Sequence, residues 1–212
     1  MTSRGPYRLQ RRAESQAETR RRIVAATVEL HRTLGPARTT ISAIAERAGV
    51  QRLTVYRHFP DEIALGMACS GHFLTLHPPP DPGPWRAIED PHRRLELGLG
   101  ALYAYYGATA DMWASVLRDV PVHAPTRTIM ARRHRFLDAI REVLVEGFRA
   151  KGASRKLVHA AVAHAVDFYA WQSLVDTGGL ATAQAVELMV AMVRRASRPG
   201  GSLPRRSVAV ER

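Results

Sequence analysis

The chain reads as all-α, a three-helix head with a helix-turn-helix near the N-terminus followed by a larger helical body. Three features predict this. Apolar residues recur at three- and four-residue spacing through most of the 212 residues, no stretch alternates apolar and polar residues long enough to be a strand, and the excess positive charge gathers at the two ends.

Residues 1–16 are polar and basic with little periodicity and are expected to form a flexible arm. Helical spacing begins near Ala17 with Ile23, Ala26, Thr27, Leu30 and Leu34. It stops at Gly35-Pro36, where glycine suits a left-handed cap and proline cannot continue a helix. A short helix is expected from about Ile41 to Ala48, with Thr40 as N-cap and Ile44, Ala45 and Ala48 on its buried face. Gly49 ends it, and a second short helix runs from about Arg52 to Phe59. Asp61 then caps a longer helix through Ile63, Met67 and Phe73 to about Leu76, and the proline-rich His77–Trp85 is an irregular connection. Further helices are expected near 91–107, 108–119, 126–150, 154–176 and 181–197, broken at Gly107, Pro121 to Pro125, Lys151-Gly152 and Gly178-Gly179. The expected boundaries are an arm at 1–16, a head at 17–60, a body at 61–196 and a disordered basic tail at 197–212.

The formal net charge of +12 is unevenly placed. Residues 1–22 carry +5, residues 23–60 carry +3, residues 61–193 carry −1 and residues 194–212 carry +5. A neutral body with a cationic head is the pattern of a polyanion-binding protein whose body has another task. No run approaches the roughly 18 apolar residues of a membrane span. The arginine-rich start is not followed by an apolar stretch and cleavage site, so a cytoplasmic protein is expected, with no membrane partner. The single cysteine, Cys69, excludes an internal disulfide framework, and on an apolar helix it is expected to be inert packing rather than a redox switch. An enzyme is not expected. There is no phosphate-binding glycine loop, nucleophile elbow or His/Cys cluster with metal spacing, so neither metal nor cofactor is anticipated.

Two short helices joined by a glycine turn, the second presenting polar and basic side chains, make a helix-turn-helix. Such a unit lays its second helix in the major groove and orients it by phosphate contacts from the first. The string is specific here: Arg22-Ile23 and Ala25-Ala26, Gly35, Thr40, Ile44-Ala45, Ala48-Gly49-Val50, Thr54, Tyr56, Phe59-Pro60 and Ala64-Leu65. Residues 19–68 closely resemble the N-terminal domain of the TetR family of bacterial transcriptional regulators.

That resemblance implies roles position by position. Thr40 caps the second helix and approaches a phosphate, and Ser42 stands where family members often place a base-reading side chain. Arg52, Leu53 and Thr54 open the recognition helix and face the base edges, with Arg52 the candidate for bidentate guanine readout. Tyr56 and His58 match the family's phosphate-contacting pair, and Arg57 adds charge beside them. Tyr56 packed on the first helix and Arg57 on a solvated face remain the alternatives. Ile44, Ala45, Val50, Val55 and Phe59 read as core. Two positions depart from the family. Gln51 replaces a frequent serine and leaves the recognition helix without a strong N-cap, and Glu62 replaces a common lysine near phosphate. The arm from Arg4 to Arg12 is expected to replace that contact, following the backbone or entering the minor groove.

For the body, the resemblance implies a homodimer and a pocket for a small-molecule effector. Leu157–Leu174 is apolar around nearly its whole circumference and Ala181–Val193 carries Glu187 as its only charge, so an interface through about 157–193 is expected. Candidate pocket residues are His72, Tyr103, Tyr106, Trp113, Met130, His134, His164, Asp167, Phe168 and Trp171, which suit a hydrophobic or aromatic inducer. His164 and Asp167, one turn apart, are expected to orient a ligand, pair with each other or meet across the dimer. The expectation is thus a ligand-responsive repressor on a palindromic operator. The alternative is an architectural or pleiotropic DNA-binding protein of the same fold that responds to no ligand.

Overall fold

In the computed structural model, which describes residues 4–198, the regular elements are helices, with no strand among the described residues. The chain forms two compact units, Met1–Pro78 with Thr109–Arg133, and Pro79–Ala108 with His134–Arg212.

The first unit opens with α1 (Arg4–Thr33). The expected flexible arm is therefore helical from Arg4 onward. Its arginines, glutamines, glutamates and alanines are strong helix formers, and Gln10 donates to Glu14 one turn on at 3.0 Å. Residues 10–18 are exposed, so no apolar period marked them: periodicity reports packing, and this stretch of helix buries no face among the described residues.

Gly35 closes α1 at φ 90°, its N–H reaching the carbonyls of Leu30 and His31. The Thr40 hydroxyl accepts from the Ala43 N–H at 3.1 Å, capping α2 (Ile41–Ala48) as expected, and Gly49 ends that helix at φ 64°. α3 (Arg52–His58) starts at Gln51 with no side-chain cap, and Asp61 caps α4 (Glu62–Leu76) through the Ala64 N–H at 2.7 Å. Ile23, Val24 and Ala26 of α1 meet Ile44, Ala45 and Ala48 of α2, with Val55, Phe59 and Leu65 completing the core and Val50 half-buried beside it. α6 (Ala124–Ile129) packs on α4, where a Cβ at Gly66 would stand 2.5 Å from Ile129 Cδ1.

The last turns of α5 (Pro91–Asp119) hold the end of α1. Ser115 donates to the Arg32 carbonyl at 3.0 Å, Arg118 to the Leu34 carbonyl at 2.8 Å, and the buried Asp119 carboxylate accepts the Ala37 N–H at 2.9 Å. The loop leading into α2 is thereby fixed by side chains far away in sequence.

In the second unit, the first part of α5 packs with α7 (Ala131–Val145), α8 (Gly152–Ala165), α9 (Phe168–Gln172) and α10 (Thr182–Ser197) through Leu95, Leu99, Leu102, Ile140, Val143, Leu144, Val158 and Val162. Several expected boundaries are corrected. Gly107 does not divide α5, because burial of Tyr103 and Tyr106 outweighs the roughly 1 kcal/mol helix penalty of one glycine. The helix expected over 126–150 is interrupted at Met130, with no glycine or proline to mark it, and ends at Val145 ahead of Gly147 at φ 87°. The helix expected over 154–176 breaks at Val166-Asp167, where the Asp167 carboxylate accepts the N–H groups of Tyr169 at 2.9 Å and Ala170 at 3.2 Å. A π-type turn over Ser173–Thr177 then leads to Gly178. α10 packs on α8. The expected disordered tail lies, from residue 199 on, outside the described residues.

Arg94 is a buried cation held entirely by carbonyl oxygens. Its guanidinium donates to Ile88 at 2.6 and 3.0 Å, Glu146 at 2.7 Å and Val143 at 3.3 Å, tying α5 to the end of α7.

Candidate nucleic-acid interface

Helical spacing divides α3 into two faces. Val55 and the following Phe59 are buried against α1 and α2, while Arg52, Leu53, Tyr56 and Arg57 are exposed. Leu53 keeps 68% of its surface open and Tyr56 47%, an apolar and an aromatic side chain left outside the core. A sizeable outward apolar surface flanked by two arginines is what a binding face retains. Of the two readings of Tyr56, its exposure favours the outward one.

Thr54 is half-buried, and its hydroxyl accepts from Arg57 at 3.1 Å, which lays that guanidinium along the helix. The half-buried His58 offers its carbonyl to Arg20 at 3.3 Å, and the same guanidinium lies 4.2 Å over the Phe59 ring. Arg20 thus anchors the exit of α3 to α1 by one hydrogen bond and one cation–π contact. Sequence reading missed this residue; the available signal was its place three positions before the buried Ile23, on the same side of α1. Arg47 and Glu29 form an exposed ion pair joining α2 to α1.

Ser42 is exposed on α2, and the Thr40 hydroxyl is committed to its cap. Glu62 lies 3.5 Å from His123 Nε2, whose ring also meets the Thr126 hydroxyl at 2.8 Å. The carboxylate is thereby engaged with α6.

A cleft bordered by α1, α2, α4 and α6 is lined by His31, Ile44, Glu62, Leu65, His123 and Ile129. Burial and the nearby His123 push His31 down to about 4, with Asp119 opposing, and its Nδ1 lies 3.6 Å from the Cys69 sulfur. The Cys69 thiol is itself pushed up to about 12 by burial, which makes it a poor nucleophile.

The ten residues expected around a ligand are divided between the units: His72, Trp113 and Met130 belong to the first, the other seven to the second. Tyr103, Tyr106, Phe168 and Trp171 form one aromatic cluster, with ring centroids 5.4 to 6.4 Å apart along the contacts. The two tyrosine hydroxyls donate to the carbonyls of Ala165 and Val166 at 2.8 Å each. Burial pushes the Tyr103 phenol well above its usual range. The Trp171 indole N–H is buried and meets no acceptor among the described residues. His72, His134 and His164 are exposed, and Asp167 is the α9 cap. His164 and Asp167 therefore do not act as one buried polar pair.

Among the described residues, no helix is long and apolar enough to cross a membrane, and no group of three His, Cys, Asp or Glu side chains is placed to hold a metal ion.

Comparison with known proteins agrees with this arrangement. Residues 23–64 match the family model for bacterial regulatory proteins of the tetR family. Among solved structures, a TetR-like transcriptional regulator from Rhodococcus is 20% identical, with TM-score 0.58, over 84% of this chain and 94% of that one. NalD, the secondary repressor of the MexAB-OprM multidrug efflux pump in Pseudomonas aeruginosa, is 21% identical, with TM-score 0.57, over 86% and 97%. FadR from Bacillus subtilis, solved in complex with stearoyl-CoA, is 17% identical, with TM-score 0.55, over 83% and 96%. At these identities the solved structures establish the fold, which runs nearly the whole length of each. No curated protein matches the chain by sequence. The helix-turn-helix geometry and the family match over residues 23–64 make this head a tetR-family DNA-binding domain, and so the chain a DNA-binding transcriptional regulator, on an all-helical fold that it shares with these solved structures.

Proposed function

We propose that the protein is a ligand-responsive repressor that binds a palindromic operator as a homodimer. The observation that carries the DNA-contacting part is the outward face of α3, where Arg52, Leu53, Tyr56 and Arg57 stand exposed while Val55 and Phe59 anchor the helix. Arg52, Leu53 and Thr54 read bases. Ser42, from α2, reaches a neighbouring base, and Thr40, Tyr56, Arg57 and His58 position the helix on phosphates. The functional boundaries are a reading head over 17–60 and a regulatory and dimerising body over 61–196.

The dimer is supported by the surface that α8, α9 and α10 leave open. Ala160, His164 and Tyr169 on one side and Ala183, Leu188 and Ala191 on the other are exposed, Tyr169 by 51% and Leu188 by 47%. Small residues beside two large apolar ones suit close helix packing against a second copy.

The effector reading rests on the aromatic cluster. A hydrophobic or aromatic molecule carrying one acceptor would part Tyr103, Tyr106, Phe168 and Trp171 and satisfy the buried Trp171 N–H. Unequal affinity for two conformers is then sufficient to shift DNA occupancy.

The decisive experiment selects duplexes from a random pool at near-physiological salt and sequences them. A palindrome preferred by roughly 10³-fold over random DNA is the expected result, and it supplies the probe for effectors that release it. Recovery of no motif, with binding that fades as salt rises, would replace operator reading with architectural binding.

A further inference from the structure

α1 begins at Arg4, whereas the family match begins at residue 23, so 19 residues of helix precede the matched domain. At 1.5 Å per residue this is about 28 Å of helix, the axial length of roughly eight base pairs. Residues 1–22 hold seven arginines against Glu14 and Glu18. Residues 10–18 are exposed, so no core among the described residues accounts for an ordered helix there. A polar, solvated helix of this length is marginal alone, and like charges along it weaken it further.

Its root is built into the reading head. Arg20 bonds the carbonyl that ends α3 and covers Phe59, and Arg22 Nη1 would stand 3.6 Å from a Cβ at Gly49, in the turn between α2 and α3. The extension therefore leaves the head beside both the turn and the end of the recognition helix. Arg11 and Arg22, three turns apart, share one face, with Arg12 next to it.

We propose that this helical extension is a second DNA-contacting surface, engaging backbone phosphates of the duplex that flanks the segment read by α3. It does so as a helix. A helix with side chains is about 10–12 Å across and does not enter a minor groove about 6 Å wide, so of the two routes open to a basic arm, following the backbone is the one this geometry allows. The proposal rests on α3 reading DNA, and it adds affinity that is indifferent to sequence.

The test compares the full-length protein with its Arg8→Gln/Arg11→Gln/Arg12→Gln variant, glutamine being as good a helix former as arginine. Affinity is titrated against salt on two duplexes carrying the selected site, one trimmed to its core and one with ten further base pairs on each side. Circular dichroism confirms that both proteins keep their helix content. The wild type should have the steeper salt dependence on the long duplex, by about 0.9 in log–log slope for each phosphate that the variant no longer neutralises. The variant should bind the long duplex roughly 10- to 100-fold more weakly near physiological salt, yet match the wild type on the trimmed one and keep its preference for the selected sequence.

Equal slopes and affinities for the two proteins on the long duplex would overturn the proposal. A loss that is as large on the trimmed duplex, or that abolishes preference, would overturn it by making the extension a support for α3. A wild-type preference for A·T-rich over G·C-rich flanks would overturn it in favour of an extended arm in the minor groove. If the wild type bound without sequence preference but with the same dependence on flank and arginines, operator reading would fail and this surface would stand.

Discussion

Arg52 stands exposed at the first turn of α3, where nothing in the fold requires an arginine. Its replacement by alanine should leave the thermal midpoint unchanged within a degree or two. If it reads a guanine through two hydrogen bonds, the same change costs about 1–3 kcal/mol of discrimination, seen as a roughly 5- to 150-fold smaller preference for the selected site over random duplex. A uniform loss on both duplexes would instead make Arg52 a phosphate contact. The exposed position of Arg52 was legible because its helix is short, amphipathic and entered through the turn at Gly49. Arg20 escaped notice because its role depends on the His58 carbonyl and the Phe59 ring, 38 and 39 positions away, and no local spacing encodes that meeting.

At the scale of elements, α2, α4 and α10 were legible because each has a start signal or an unbroken apolar stripe. Misreadings arose where tertiary packing overrode local punctuation. Gly107 lies inside α5 because the buried Tyr103 and Tyr106 hold the turn before it, whereas α6 and α7 part at Met130 without any punctuating residue. Asp167, expected to orient a ligand, pair with His164 or meet it across the dimer, is the N-cap of α9. Its cap geometry became visible only with the turn of the chain. Arg94 offers the sharpest test of how these elements are joined. Substitution by methionine keeps the aliphatic stem but strips hydrogen bonds from three carbonyls, at a cost of about 2–4 kcal/mol. The thermal midpoint should fall by roughly 5–15 °C, whereas a shift under two degrees would mean that water replaces the guanidinium. His31 supplies a pH test for the head. Its folded pKa of about 4 lies below the unfolded value near 6.5, so the folded state binds fewer protons between those limits. The stability it contributes is complete above pH 6.5 and is lost as pH falls towards 4, by at most about 3 kcal/mol. A His31→Gln variant should unfold with a flatter dependence on pH across that window, and an unchanged slope would mean that the ring is solvated.

For the whole molecule, the question is whether one chain suffices. On the proposed palindrome, two recognition helices would stand about 34–36 Å apart to meet successive major grooves, the second supplied by a second subunit. Within one chain, α8 packs on α10 and Val158, Val162, Val186, Met189 and Val193 are buried, which leaves Leu188 exposed one turn before the exposed Ala191. A Leu188→Glu substitution adds a charge to a position already open to water, so the single chain should fold as before, with its helical signal intact. In a dimer the same carboxylate would be buried against apolar side chains or would face its own copy, and the interface would fail. Sedimentation at micromolar concentration should then give twice 23.5 kDa for the wild type and 23.5 kDa for the variant. Because each head would bind its half-site alone, the variant should also lose at least roughly 10²-fold in affinity for the selected palindrome, the usual scale of a missing second attachment. A variant that remains dimeric would move the interface away from this face, and a wild type that sediments as a monomer while binding its site tightly would remove the dimer from the mechanism.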